Sequence, residues 1–331
     1  MRPRSAKALL TAAKTPAFLV SNPVNIRYLT GLSLSSGSVL VTPSRLTLFT
    51  DARYLEMAQK KAEKLITVSD SSLLPKALAS IKECGVESEW ITVEQFRKMK
   101  AKYKNTKFIH TPWILDEFRR SKDEDELRSF KKAQRITREM LRRVPALLRK
   151  PITEKELAWQ LEVWAHELGA DALSFPAIVG FGTNTSIPHH TPTTRKLVKG
   201  HIVQIDVGAK FGGYCADQSQ VFFTGKPTAF QRHVYNTLLE AKDAAIAAIK
   251  PGVTNHTLDK VARTILAREG MEDYFSHALG HGVGLEIHEG FSLSAKAPQV
   301  KLLQNEIVTI EPGVYFPGKF GMRVEEEIIV L

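Results

Sequence analysis

The segment from Asp206 to Asp217 constrains this chain more than any other. Apolar residues precede Asp206 (Ile202, Val203, Ile205) and follow Asp217 (Val221, Phe222, Phe223), with Gly212-Gly213 midway. Two apolar runs around a Gly-rich turn read as a β-hairpin. A turn centred on Phe211-Gly212 sets Asp206 directly opposite Asp217, with Cβ atoms roughly 5 Å apart. Carboxylates at that separation repel by about 3 kcal/mol at an effective dielectric of about 20. Three arrangements relieve this: a protonated carboxyl, exposure to solvent, or a cation between the two. The hydrophobic flanks favour the cation; taken alone, the segment also reads as a solvated surface hairpin.

Downstream, His281-Gly-Val-Gly-Leu-Glu-Ile-His288-Glu289 supplies two imidazoles in a Gly-rich setting. Glu311 ends the apolar run Ile307-Val-Thr-Ile310, which Pro312-Gly313 stops. Glu325 follows Met322-Arg323-Val324 in a run that finishes Ile328-Ile329-Val330-Leu331. A histidine in a strand is by itself more often a satisfied core residue. An acid in an apolar strand is rarer, because a buried charge needs a partner. Asp206, Asp217, His281, Glu311 and Glu325 together make four carboxylates and one imidazole. Dominated by hard oxygens, that set suits a pair of Mn²⁺, Co²⁺, Fe²⁺ or Zn²⁺ ions.

At these residues the chain resembles the pita-bread metallopeptidases, the superfamily of methionine aminopeptidases, Xaa-Pro aminopeptidases and prolidases. The ligand order Asp, Asp, His, Glu, Glu is the same, as are the strings Gly280-His281-Gly-Val-Gly, Glu311-Pro-Gly and Arg323-Val-Glu325. The resemblance implies two divalent ions, manganese first, with cobalt, zinc or iron as alternatives. Asp206 would chelate one ion, Asp217 and Glu325 would bridge both, and His281 and Glu311 would hold the second. Glu326 and Glu327 are then ordinary strand residues. The stretch Ser174-Phe-Pro-Ala-Ile-Val-Gly-Phe-Gly-Thr-Asn184 through Pro188-His189-His190 resembles the substrate-binding segment of proline-specific members. It implies His189 at the substrate, with His190 facing away because neighbours alternate in an extended chain. His277 matches a histidine of Xaa-Pro enzymes and, with Arg323, is expected near the substrate or a cluster carboxylate.

The implied reaction is hydrolysis of the bond between an N-terminal residue and a penultimate proline, an Xaa-Pro aminopeptidase activity. An Xaa-Pro dipeptidase (prolidase) is the alternative, and a non-enzymatic pita-bread binding protein a third reading. Glu311 would move the proton and His288 would stabilise the tetrahedral intermediate. Phe175, Phe291 and Tyr315 are candidate walls for the proline ring. Two departures from the family pattern stand out. Gln218-Ser219-Gln220-Val221 replaces an apolar residue followed by Thr-Arg-Thr, and Gly290-Phe291-Ser292 replaces a Pro often followed by Arg. Lack of a basic residue there leans towards substrates longer than dipeptides. The chain also stops at Leu331, where relatives usually continue.

Asn25-Ile-Arg-Tyr-Leu-Thr-Gly31 and Thr50-Asp51-Ala-Arg53-Tyr54 resemble the smaller domain of prolidases and creatinases, which simple methionine aminopeptidases lack. The fold class is therefore α/β (α+β), with a creatinase/prolidase N-terminal domain over 1–121 and a pita-bread catalytic domain over 122–331. Ser121-Lys-Asp-Glu124 reads as a capping box opening a helix with core stripe Leu127, Phe130, Ala133 and Ile136. Thr153-Glu-Lys-Glu156 and Thr228-Ala-Phe-Gln231 open further helices, and Gly169 and Gly270 end two.

The net charge of +11 raises the question of nucleic acid. Its sources, such as Lys60-Lys61, Lys131-Lys132 and Arg142-Arg143, interleave with acids on helices without an aromatic platform, which favours a solvated surface. Two distant cysteines, Cys84 and Cys215, offer no disulfide framework and point to a reduced, cytoplasmic protein. The basic start Met1–Lys7 precedes too short an apolar run for a signal peptide. No stretch approaches the roughly 20 apolar residues of a membrane span. A homodimer is implied by the resemblance alone.

Overall fold

The computed structural model describes residues 6–62 and 64–331, so Met1–Ser5 of the basic start lies outside the described residues. By its internal contacts the chain divides into two compact units, Met1–Arg119 and Arg120–Leu331.

The first unit is built on a six-stranded mixed sheet. Its strands run in the order Ile66–Asp70, Arg45–Thr50, Ser38–Thr42, Phe18–Val20, Glu83–Val86 and Lys107–His110. Phe18, Val20, Val39, Val41, Leu48 and Val86 are buried in it, which is what runs of β-branched and aromatic residues favour. The helix Pro23–Thr30 starts with Asn22 capping Val24 and a proline in its first turn, and ends at Gly31 in the left-handed region.

The second unit repeats a plan of two helices packed on strands. Helices Glu124–Leu147 and Glu154–Glu167 contribute Ile136, Met140, Val144, Leu157 and Leu161 to a core with Val179, Val203, Ile205 and Val207. Helices Ala229–Ala247 and Asn255–Arg268 pack Leu238, Ala241, Leu258 and Ala262 on Val308, Ile310, Val314 and Met322. Each fully buried Leu, Val or Ile stabilises by about 1.5–3 kcal/mol, so the strands between these helices are firmly placed. The first helix starts two residues later than the Ser121–Glu124 pattern suggests. Asp123 is its cap, accepting from the amides of Asp125 and Glu126 while Glu126 reaches back to Asp123, whereas the Ser121 hydroxyl donates to the Gln304 carbonyl. A carboxylate at the helix start serves two orphan amides and the dipole together.

The Asp206–Asp217 hairpin forms, but its register differs from the expected one. Strand Ile202–Val207 lies between Ile178–Phe181 and Gln218–Phe223, and Asp206 pairs with Ser219, not with Asp217. The continuation pairs Lys210 with Cys215 and Phe211 with Tyr214, so the turn is centred on Gly212-Gly213. Both glycines have positive φ, 58° and 85°, as a two-residue type I′ turn requires. The slip is an even number of residues, so both aspartates keep the faces the expected register gave them. Gly208 marks the switch between the two ladders; a Cβ there would sit 1.6 Å from the Ala216 carbonyl oxygen. Gly208→Ala should therefore cost about 2 kcal/mol or more by forcing the hairpin apart, measurable as a lower urea midpoint. A midpoint equal to wild type would refute that close approach.

Candidate metal centre

Strand ends deliver all five predicted ligands to one place. Asp206 lies within Ile202–Val207 and Asp217 immediately precedes Gln218–Phe223. Glu311 follows Ile307–Ile310, Glu325 joins Phe320–Arg323 to Glu326–Ile329, and His281 closes the short strand Gly280–His281. His281 Nε2 stands 3.6 Å from Asp217 Oδ2 and 3.5 Å from Glu311 Oε1. One donor atom each from Asp217, His281 and Glu325 lie within 4.8 Å of one another. Asp206 is tied in through Arg323, whose Nη2 is 2.6 Å from Asp206 Oδ2 and whose Nε is 3.9 Å from Glu311 Oε2.

The electrostatics are those of crowded buried acids. Burial, then Glu325, Asp206 and Glu311, pushes the Asp217 carboxyl well above the usual range. Burial followed by Glu311 and Asp206 does the same to Glu325. Glu311 is pushed up to about 8, chiefly by burial, with Arg323 opposing. Asp206 Oδ1, Asp217 Oδ1 and Glu325 Oε1 are buried without a hydrogen-bond partner. Buried acceptors left without donors are costly unless protons or cations serve them. His281 is oriented to join them. Its Nδ1 lies 3.0 Å from the Gly282 carbonyl, which places the ring proton on Nδ1 and leaves the Nε2 lone pair facing the carboxylates. Burial, then His288, lowers its pKa to about 3, so the ring is neutral. Carboxylate oxygens around one neutral imidazole fit hard or borderline divalent cations.

Around this cluster stand the other predicted residues. His288 is exposed, with its ring 4.2 Å from that of His281. Partial desolvation, then His189, lowers its pKa. His189 is exposed and close enough to act electrostatically on both His277 and His288. His190 turns the other way, into a buried contact 2.9 Å from Glu154 Oε2. His277 holds the Tyr315 hydroxyl at 3.0 Å and the Ala278 carbonyl at 2.8 Å; burial and then Arg323 lower its pKa to about 4. Arg323, expected near the substrate or a cluster carboxylate, faces inward with 3 % of its side chain exposed. It donates to Asp206, to the Ser219 hydroxyl at 2.8 Å and to the Tyr315 hydroxyl at 2.7 Å. Tyr315, a candidate wall, is thus fixed by two polar partners, and Phe291 lies beneath the Arg120 guanidinium at 4.9 Å.

Two buried acids beside the cluster escaped the sequence reading. Glu326 is an ordinary strand residue paired with Arg138 and Lys242, but Glu327 is not. Its carboxylate is buried and accepts the Asp217 amide at 2.8 Å, fixing the backbone of that candidate ligand. The signal was present: Glu327 stands two residues after Glu325 in an apolar run, the spacing that places side chains on one face of a strand. Glu289, next to His288, pairs with buried Lys122 at 2.9 Å and accepts the Leu285 amide at 3.0 Å, bracing the turn that carries His288. Nothing local in the sequence links positions 122 and 289.

No helix among the described residues is long and apolar enough to cross a membrane, and Cys84 and Cys215 are both buried and free. Residues 128–331 match metallopeptidase family M24, and residues 2–121 match the creatinase/prolidase N-terminal domain. The Xaa-Pro dipeptidase of Pyrococcus horikoshii is 32 % identical over 320 residues, covering 95 % of this chain and 90 % of that protein. A solved Xaa-Pro dipeptidase from Bacillus anthracis has a TM-score of 0.94 at 29 % identity, covering 100 % of this chain and 95 % of that one. An X-Pro aminopeptidase from Thermotoga maritima has a TM-score of 0.89 at 31 % identity, covering 97 % and 94 %. The M24 family implies divalent metal, in keeping with the orphaned oxygens of Asp206, Asp217 and Glu325. The chain belongs to metallopeptidase family M24 and carries a creatinase/prolidase N-terminal domain.

Proposed function

We propose that the protein is an Xaa-Pro dipeptidase, hydrolysing the bond that precedes proline. The sequence alone leans to an aminopeptidase acting on longer peptides, because no basic residue follows His288-Glu289. The relatives favour the dipeptidase, since the Pyrococcus horikoshii and Bacillus anthracis proteins carry that name. The observation that carries hydrolysis itself is the buried cluster of four carboxylates around His281, with three of its oxygens unpartnered. Asp206, Asp217, His281, Glu311 and Glu325 would hold two divalent ions, which supply Lewis acidity and an activated water nucleophile.

The chain's own groups do the rest. Glu311 accepts a proton from the attacking water and returns it to the proline nitrogen, so the C–N bond breaks with OH on the acyl carbon. His288, exposed beside His281, donates a hydrogen bond to the carbonyl oxygen as that oxygen gains charge. His189 orients the scissile region. A proline bond offers no N–H, so a site that must hydrogen-bond that group cannot read it, and an apolar wall is the expected substitute.

Ala-Pro and Ala-Pro-Ala, offered in parallel to Mn²⁺-, Co²⁺- and Zn²⁺-loaded protein, test the reading by alanine release. Faster cleavage of Ala-Pro is expected. Preference for the tripeptide would restore the aminopeptidase, and no cleavage of either, matching an Asp206→Asn control, would end the hydrolase reading. His288→Ala should lower kcat about 10²-fold with little change in KM, as loss of a donor to the developing oxyanion does. An unchanged kcat would remove His288 from that role.

A further inference from the structure

We propose that Glu154 is a positioning residue for the reaction, its carboxylate fixing the loop that presents His189. The inference rests on the Xaa-Pro reading, in which His189 meets the substrate. Glu154 is the first residue of the helix Glu154–Glu167 and is 0 % exposed. It accepts five hydrogen bonds, all from one segment. Oε1 takes the Phe181 amide at 2.8 Å and Asn184 Nδ2 at 2.9 Å. Oε2 takes His190 Nε2 at 2.9 Å, the Thr193 amide at 2.9 Å and the Thr193 hydroxyl at 2.6 Å. A fully buried carboxylate needs that many donors, and the start of a helix adds a favourable dipole. These donors, with the burial opposing them, hold the carboxyl below its ordinary range, so the group is ionised.

The partners bracket the loop. Phe181 lies where the chain leaves the strand Ile178–Phe181, and Thr193 lies where it has returned. His190 is drawn onto Glu154, while its neighbour His189 stays exposed and near His277 and His288. Two further ties join the loop to the strand Phe320–Arg323: the Thr185 hydroxyl accepts the Gly321 amide at 3.0 Å, and the Pro188 carbonyl accepts Arg323 Nη1 at 3.4 Å. His189 itself is exposed, so its aim is set by anchors on either side of it. Gln in place of Glu154 keeps the shape but turns an amide NH₂ towards the Thr193 or Phe181 N–H, where two donors would meet.

The test uses full-length, metal-loaded protein carrying Glu154→Gln, His189→Ala or both. Glu154→Gln is expected to lower kcat/KM for Ala-Pro by roughly 10- to 100-fold, the cost of a misplaced contact. In the His189→Ala background the same change should cost about twofold or less, because the group it positions is gone. Equal losses in the two backgrounds would overturn the proposal. Hydrogen exchange supplies a readout free of turnover: amides of 182–193 should exchange faster in Glu154→Gln while those of Ile202–Val207 stay unchanged. Unchanged exchange in the loop, or faster exchange throughout the second unit, would equally overturn it. Should Glu154→Gln not fold, Thr193→Val and Asn184→Ala remove single donors and are read the same way. Wild-type protein that cuts neither peptide would defeat the Xaa-Pro reading instead, and the exchange experiment would still decide whether Glu154 holds the loop.

Discussion

Stripped of divalent metal, the protein should lose stability on the order of several kcal/mol as pH rises from about 4.5 to about 8, with Glu311 among the groups responsible. The carboxyl of Glu311 titrates near 4.5 in the unfolded chain and at about 8 in the fold. Between those values the folded state keeps a proton that the unfolded state has released, so stability falls with rising pH. The contribution is whole below about 4.5 and gone above about 8, at about 1.4 kcal/mol per pH unit in between. Asp217, raised by burial and then Glu325, and Glu325, raised by burial and then Glu311, push in the same direction. A divalent cation takes the place of those protons, so added Mn²⁺ should raise the urea midpoint far more at pH 8 than at pH 5. Glu325→Gln should stabilise the metal-free protein at pH 8 while reducing the effect of Mn²⁺. Chelated protein equally stable at both pH values would show that the acids are not crowded as described.

Arg323→Met carries the second large effect, an expected loss of 3 to 5 kcal/mol together with activity, on the order found when one partner of a buried ion pair is removed. The guanidinium serves the Asp206 carboxylate, the Ser219 hydroxyl and the Tyr315 hydroxyl from three different nitrogens. Methionine keeps only the apolar stem and leaves Asp206 Oδ2 without its 2.6 Å donor, beside an Oδ1 that already has none. Arg323→Lys should fail nearly as badly, because one ammonium cannot span three separate acceptors. Equilibrium unfolding of both variants checks this, and a lysine variant as stable as wild type would contradict it.

The carboxylate cluster was legible because charges beside apolar strands are expensive, and Asp206, Asp217, Glu311 and Glu325 each lie in or next to such a strand. The motifs around them then carried the family. Register was less legible: the pattern of apolar residues fixes which face Asp206 occupies, but the choice of partner depends on which two residues turn the hairpin. Both Gly212 and Gly213 adopt positive φ, and only that pair brings Ser219 opposite Asp206. The start of the helix at Asp123 was ambiguous because Ser121 and Asp123 both head an acceptor-x-x-Glu pattern, and the Gln304 carbonyl removes the serine from the contest. Glu327, Lys122 and Glu154 stayed hidden for a common reason. Each meets its partner across a long stretch of chain, and no local period records such a meeting.

Asp217 is governed at two points by two other acids. Glu327 holds its amide, while its carboxylate faces Glu325 and His281. The backbone of the ligand is therefore tied down by a group that takes no part in the cluster. At that position, taking up a cation would call for departure of the protons that the crowded carboxyls retain. The centre would in this sense be an ion exchanger with one fixed wall at Asp217, where one kind of positive charge takes the place of another.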